Sequence, residues 1–333
     1  MKRLLSIILL AVAATAAATA CTSLVATGRA TASGHPLLWK HRDTGAPGNF
    51  LARVEATDST LAYVGLYNDG DSLLAEAWTG MNEAGFAVLN TASYNLAPDT
   101  ARIKDREGLV MSAALARCRT VDDFARLLDS LPRPMGVQAN FGAIDASGRA
   151  AYFETGDHSV CRFDVDSAAI RTNHSLSGTL GRGNGYIRLA AARHLTAGRR
   201  ISPRLLADTL SRSFYHGLTA RDHLADGDRY VADLDFIPRD ITTASVVIES
   251  TPEGPVMWAS LGYTPVAPVG RVTLDSIPAA MGPDLPGWRS SACHAATDLR
   301  RTAIPFEGGS GPRYLDLHVL APLIGQARLK SRF

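Results

Sequence analysis

The first residue whose position could do chemistry is Cys21. Lys2 and Arg3, the apolar run Leu4 to Ala14, and Ala18-Thr19-Ala20 form a positive, apolar, small-x-small series that ends directly before it. Such a series reads as a secretory leader, 1–20, whose removal leaves cysteine as the first residue. A terminal cysteine carries its own base. The α-amine, with a pKa of about 7.7 to 8.0, can take the thiol proton at neutral pH. It can return that proton to a departing nitrogen, so amide cleavage through a thioester needs few other titrating groups. The alternative at such a cut site is a lipid-anchored, non-catalytic binding protein. A lipobox, however, carries Leu at the third position before the cysteine, where this chain has Ala18.

Composition narrows the setting. Lys2 and Arg3 leave with the leader, bringing Lys+Arg from 34 down to the 32 of Asp+Glu. A formally neutral chain without a basic block gives no reason to expect nucleic acid or an anionic membrane as partner. No apolar run reaches the roughly 20 residues of a spanning helix, so no stable membrane insertion is expected. The expected location is periplasmic or secreted, the partner a small-molecule amide or N-acyl substrate, with a homo-oligomer left open. Cys118, Cys161 and Cys293 match no zinc spacing, and three cysteines allow at most one disulfide.

The elements that must position a site are read from periodicity. Ser23 to Thr27, Pro36 to Lys40, Leu61 to Tyr67, Leu73 to Trp78 and Phe86 to Leu89 read as strands, with Gly80 to Gly85 joining the last two. Gly108 to Leu131 reads as two helices, the second capped by Thr120. Asp145 to Gly148 turns a hairpin with arms Phe141 to Ile144 and Ala150 to Glu154. Ile187 to Ala197, Pro203 to Arg212 and Ala220 to Leu224 read as helices, and Thr243 to Ser250 and Pro255 to Leu261 as strands. Segregated runs of this kind predict an α+β layered sandwich rather than a doubly wound sheet. Residues 21–268 are expected to form the domain. The proline- and glycine-rich stretch 269–333 is expected to be an irregular extension packed on it.

Several segments, in order behind Cys21, carry a resemblance. Cys21-Thr22-Ser23-Leu24-Val25-Ala26, Trp39-Lys40-His41-Arg42-Asp43, Gly80-Met81-Asn82-Glu83-Ala84-Gly85 running to Asn90, and Arg171-Thr172-Asn173-His174 resemble the cysteine Ntn-hydrolases. These include the acyl-CoA:6-aminopenicillanate acyltransferase family, the choloylglycine (bile salt) hydrolases and acid ceramidase. Thr242 to Ile248 and Met257 to Gly262 resemble the two C-terminal strands of the same group.

The resemblance implies a four-layer αββα sandwich and a thioester mechanism that needs no metal or organic cofactor. It implies Cys21 as nucleophile, Asp43 orienting the α-amine, and Asn90 and Asn173 at the oxyanion, where one lost donor typically costs about 10²–10³ in rate. Tyr94 and Asn95 are substitutes for Asn90. Lys40 stands where the family has Arg and loses its bidentate fork, so Arg42 is the other candidate for that role. Arg188, with Arg182 as alternate, is expected to anchor Asp43 or a substrate carboxylate. Hydrolysis of a linear amide is the expected reaction, with a dipeptidase or an acyltransferase as alternatives on the same fold.

Overall fold

The computed structural model describes residues 20–98, 100–233, 235–305 and 313–333. The expected leader, up to residue 19, and the Gly308 to Pro312 stretch lie outside them. The described chain opens with the antiparallel pair β1 (Ala20–Ala26) and β2 (Leu37–Asp43). There follow β3 (Asn49–Val54), β4 (Tyr63–Asn68), β5 (Thr79–Asn82) and β6 (Ala87–Ala92). Helices α1 (Glu107–Arg117) and α2 (Val121–Ser130) lead to β7 (Ala139–Ile144), β8 (Ala150–Thr155), β9 (Val160–Asp164) and β10 (Ala168–Arg171). After α3 (Tyr186–Thr196) come two helical turns over 205–212 and the short strands β11 (Tyr215–His216), β12 (Arg221–Asp222) and β13 (Tyr230–Ala232). The long hairpin β14 (Thr242–Thr251) and β15 (Gly254–Leu261) precedes β16 (Gly270–Val272), α4 (Ser291–Thr302), β17 (Tyr314–Asp316) and α5 (Leu317–Lys330).

Two large antiparallel sheets result. One has the order β10-β1-β2-β14-β15-β16, and the other is the meander β3 to β9. Val25, Leu38, Val246 and Ile248 of the first pack against Val64, Leu89 and Ile144 of the second. On the outer face of the meander, Met111, Leu115, Phe124 and Leu128 of α1 and α2 cover Phe86, Phe141 and Phe153. On the outer face of the other sheet, Ala191, Ala192 and Leu206 cover Leu24, Trp39 and Val247. The architecture is an α+β sandwich of αββα layers. Both sheets are covered on both faces, so their strands carry near-continuous apolar runs rather than a clean alternation.

Three expectations are corrected. Leu73 to Trp78 is no strand, because the Asp71 carboxylate takes the Ala75 and Glu76 amides at 3.1 and 3.0 Å and curls the segment. Ala220 to Leu224 is no helix, since Ala220 turns at φ 54° between β11 and β12. Cys118, Cys161 and Cys293 are all free, within the expected limit of at most one disulfide. The extension after residue 268 is also more regular than expected. Ser290 caps α4 through the Cys293 amide, Asp316 caps α5 through the His318 and Val319 amides, and both helices pack in one apolar cluster with Phe214 and Tyr263. Pro322 inside α5 is what disguises that helix in the sequence.

Helix α2 offers a direct energetic check. Thr120 accepts from the Asp123 amide at 3.0 Å, and the Asp123 carboxylate accepts from the Thr120 amide at 2.9 Å. One turn on, the fully buried Phe124 meets Phe141 and Phe153 edge to face. Thr120→Ala is expected to cost about 1 kcal/mol and Phe124→Ala about 3–5 kcal/mol, both read from denaturant unfolding.

Candidate active site

Cys21 lies at the start of β1, buried, with Arg42 directly opposite on β2. Its main-chain nitrogen donates to Asn173 Oδ1 at 2.9 Å. That same oxygen accepts from Arg188 Nη2 at 2.8 Å, and Asn173 Nδ2 donates to the Ala92 carbonyl at 2.9 Å. Both ends of the Asn173 amide are therefore engaged. Asn173 stands here as the acceptor that fixes the Cys21 nitrogen, and one N–H of its NH2 is spent on Ala92.

Arg188 reaches the same point from behind. It is fully buried on α3, and its Nη1 donates to the Cys21 carbonyl at 2.7 Å and to Thr22 Oγ1 at 3.0 Å. It does not line the cleft beside the thiol, so its task is to position the first turn of chain rather than to meet substrate. Gly185, at φ 86°, admits it: a Cβ there would sit 2.7 Å from Arg188 Nη2. Arg182, the alternate, is exposed.

The front of Cys21 faces a cavity of about 140 Å³ shared with Lys40, Arg42, Asp43, Trp78 and Asn90. Lys40 and Arg42 reach it together because strand side chains alternate with a period of two. Lys40 Nζ donates to the Trp78 carbonyl at 2.7 Å and to Asn90 Oδ1. With its oxygen held, Asn90 keeps its NH2 as the donor on the cavity wall. Burial pushes the Lys40 ammonium down to about 7, against the pull of the Cys21 thiol and Glu107 and with the push of Arg42.

Asp43 is wholly buried, and its Oδ1 accepts from Thr242 Oγ1 at 2.6 Å. Its Oδ2 has no protein partner, and it makes no bond to the Cys21 nitrogen in this chain, which still carries Ala20. Burial raises its carboxyl to about 6, opposed chiefly by Arg239 and Arg188.

Sequence reasoning missed Glu107 and Trp78. Glu107 reads as an ordinary acid in a first helical turn, yet it is buried in the cavity wall, raised by burial to about 7, with its Oε1 accepting from the Gln138 amide. Trp78 lies beneath both cations, 5.9 Å from Lys40 and 5.0 Å from Arg42. The substitutes for Asn90 stand elsewhere: Asn95 braces the loop at Ser175, and Tyr94 is exposed. His174 is stacked on Tyr186 and bonded near Thr172, a structural role. Among the described residues no cluster of His, Cys, Asp and Glu is arranged to hold a metal.

The lowered Lys40 has a stability consequence with a definite sign. A cation depressed from 10.5 to about 7 adds nothing adverse above pH 10.5, where both states are neutral. Stability then falls as pH drops from 10.5 to 7 and is flat below. Lys40→Met removes that dependence. Its unfolding free energy relative to wild type is expected to be more favourable at pH 6 than at pH 10, by roughly a few kcal/mol, measured by denaturant titration at the two pH values.

The sequence model of the acyl-coenzyme A:6-aminopenicillanic acid acyl-transferase family matches residues 55–210. No curated protein matches the chain. Among solved structures, the chain is similar to a Caenorhabditis elegans N-acylethanolamine-hydrolyzing acid amidase ortholog, at 13% identity and TM-score 0.48, over 70% of this chain and 95% of that one. It is also similar to a mutant of the conjugated bile acid hydrolase from Clostridium perfringens, at 12% identity and TM-score 0.46, over 78% and 93%. A third is penicillin V acylase from Agrobacterium tumefaciens, at 16% identity and TM-score 0.42, over 77% and 87%. Over residues 55–210 the chain is thus similar to the acyl-coenzyme A:6-aminopenicillanic acid acyl-transferase family.

Proposed function

We propose that this enzyme is exported, that leader removal frees the amine of Cys21, and that the Cys21 thiol then hydrolyses a linear amide through a thioester. The amine takes the thiol proton as sulfur attacks the amide carbon. The carbonyl oxygen becomes an oxyanion held by the Asn90 NH2, and the amine returns its proton to the departing nitrogen. Water, deprotonated by the same amine, attacks the thioester and restores the thiol. No metal or organic cofactor enters these steps.

The observation that carries this reading is the buried, unpartnered Oδ2 of Asp43. Asp43 is the β2 residue opposite Ala20. Losing Ala20 opens the position facing it and creates an amine at the next residue, whose added N–H is the donor such an oxygen lacks. Asn173 meanwhile keeps its hold on the nitrogen of Cys21. Outside the cytoplasm acyl-CoA is not at hand, which favours hydrolysis over acyl transfer.

The intact mass of the exported protein is expected to correspond to a chain beginning at a free Cys21. A diacylglyceryl adduct there overturns the proposal. In purified mature protein, Cys21→Ala is expected to abolish hydrolysis of an N-acyl amide panel with the unfolding midpoint preserved, and turnover by that variant rejects Cys21 as nucleophile. Asn90→Ala is expected to lower kcat by about 10²–10³.

A further inference from the structure

A second cavity, of about 260 Å³, lies where the C-terminal extension meets the sandwich. Its walls are the turn after β2, the start of β14, Tyr263 just past β15, and Thr297 and Arg300 of α4, with Arg313 beside them. All of these fall outside residues 55–210. With the cleft at Cys21 it shares only Thr44. Two local features build it. β14 pairs with β2 at Thr242 and again at Ala244, so Thr243 is a bulge residue with no opposite number on β2. Gly262, at φ 85°, lets α4 come close, because a Cβ there would sit 2.5 Å from the Cys293 carbonyl oxygen.

Donors are in excess on these walls. Tyr263 is 1% exposed and Thr243 3%, and neither hydroxyl has a partner among the described residues. The Nε of Arg300 is buried and unpartnered as well. The other buried hydroxyls are spent: Thr242 donates to Asp43, and Thr297 to the Cys293 carbonyl at 2.9 Å. Among the described residues, no Asp or Glu lines the cavity. Asp240 answers Arg313 through its carboxylate but Arg300 only through its carbonyl, which leaves two guanidiniums to one carboxylate. Burial and the neighbouring Asp240 hold the Asp233 carboxyl well above its usual range, toward the neutral acid.

We propose that this cavity is a binding site for a tetrahedral oxyanion, a phosphate or sulfate group, held by Arg300 and the hydroxyls of Tyr263 and Thr243. A buried hydroxyl or guanidinium N–H without an acceptor destabilises the fold, and one anion supplies acceptors to all three. The donors arrive from a strand bulge, from the chain after a strand and from a helix. A flat carboxylate has only two oxygens to share among them. A tetrahedral anion offers an oxygen to each donor and a further one toward Arg313, whose side chain is half exposed at the rim. The space is several times the roughly 30 Å³ that one water takes in the liquid, so a group of this size fits. Cys21 takes no part in this site, which is therefore independent of the proposed hydrolysis.

The test is calorimetric titration of the purified protein with inorganic phosphate, sulfate and glycerol phosphate, against acetate. At least one of the first three is expected to saturate a single site per chain with a Kd tighter than about 1 mM. Whether the ester or the free ion binds more tightly tells which form the site takes. Arg300→Gln is expected to weaken binding about tenfold or more. Tyr263→Phe and Thr243→Val keep the shape of the cavity and are each expected to weaken it severalfold, and they carry the test where Arg300→Gln does not fold. Because neither hydroxyl bonds to protein, both variants are expected to unfold no earlier than wild type without phosphate, and to gain less in midpoint when it is added. A purely structural hydroxyl would lower the midpoint in both conditions alike. Lys40→Met and Arg42→Gln, in the cleft, are expected to leave the affinity unchanged. No saturable binding, acetate bound as tightly, affinity that survives Tyr263→Phe and Thr243→Val together, or affinity lost in a folded cleft variant overturns the proposal.

Discussion

The site depends on one amide oxygen. Asn173 Oδ1 receives the Cys21 nitrogen and the Arg188 guanidinium together, and each of these is set by a different part of the fold. Cys21 is set by the pairing of β1 between β10 and β2. Arg188 is set by α3, which begins at a left-handed glycine and packs its alanines on the outer face of the same sheet. Asn173 is held at its other end by Ala92, the last residue of β6 in the opposite sheet. The contact therefore ties both sheets and one outer layer to a single amide side chain. A carbonyl oxygen with two donors is fully committed, which leaves the Cys21 nitrogen little freedom.

Around that anchor the fold buries charge at a cost. Lys40, Arg42, Asp43, Glu107 and Arg188 are all nearly or wholly inaccessible, and their groups are shifted toward neutrality by burial. Buried ionisable groups usually weaken a fold unless they are paired. Here the compensation is polar rather than ionic: Lys40 has a carbonyl and an amide oxygen, Arg42 two amides and an aromatic face, Asp43 a hydroxyl. The sandwich can carry this because its two sheets share a large apolar interface, with a helical layer on each outer face. Perturbed groups gathered at one cleft are the arrangement expected of an active site.

The C-terminal extension belongs to the same body. Its helices α4 and α5 share an apolar cluster with Phe214, Phe236 and Tyr263. Arg300 donates to the Asp240 carbonyl, and Arg313 pairs with the Asp240 carboxylate, two residues before the start of β14. Thr242, which binds Asp43, opens that strand. The extension thus buttresses the end of the strand that supplies a neighbour to the site.

Much of the framework was legible in the sequence because it is written locally. The capping box at Thr120, the turn at Asp145 to Gly148 and the apolar runs of β1, β2, β14 and β15 each depend on residues a few positions apart. Where local chemistry misled, a distant or competing contact had decided the outcome, as with Asp71 curling Leu73 to Trp78. The set of candidate residues was also legible, but not their orientation. That the Asn173 oxygen accepts from the Cys21 nitrogen, that Arg188 stands behind the cysteine, and that Glu107 and Trp78 line the cleft follow from partners far along the chain. The Cys21–Asn173 bond alone spans 152 positions. Sequence determined which side chains were available and on which elements; only tertiary packing decided which end of each one faces the cleft, because hydrogen-bond direction and burial are properties of neighbours in space.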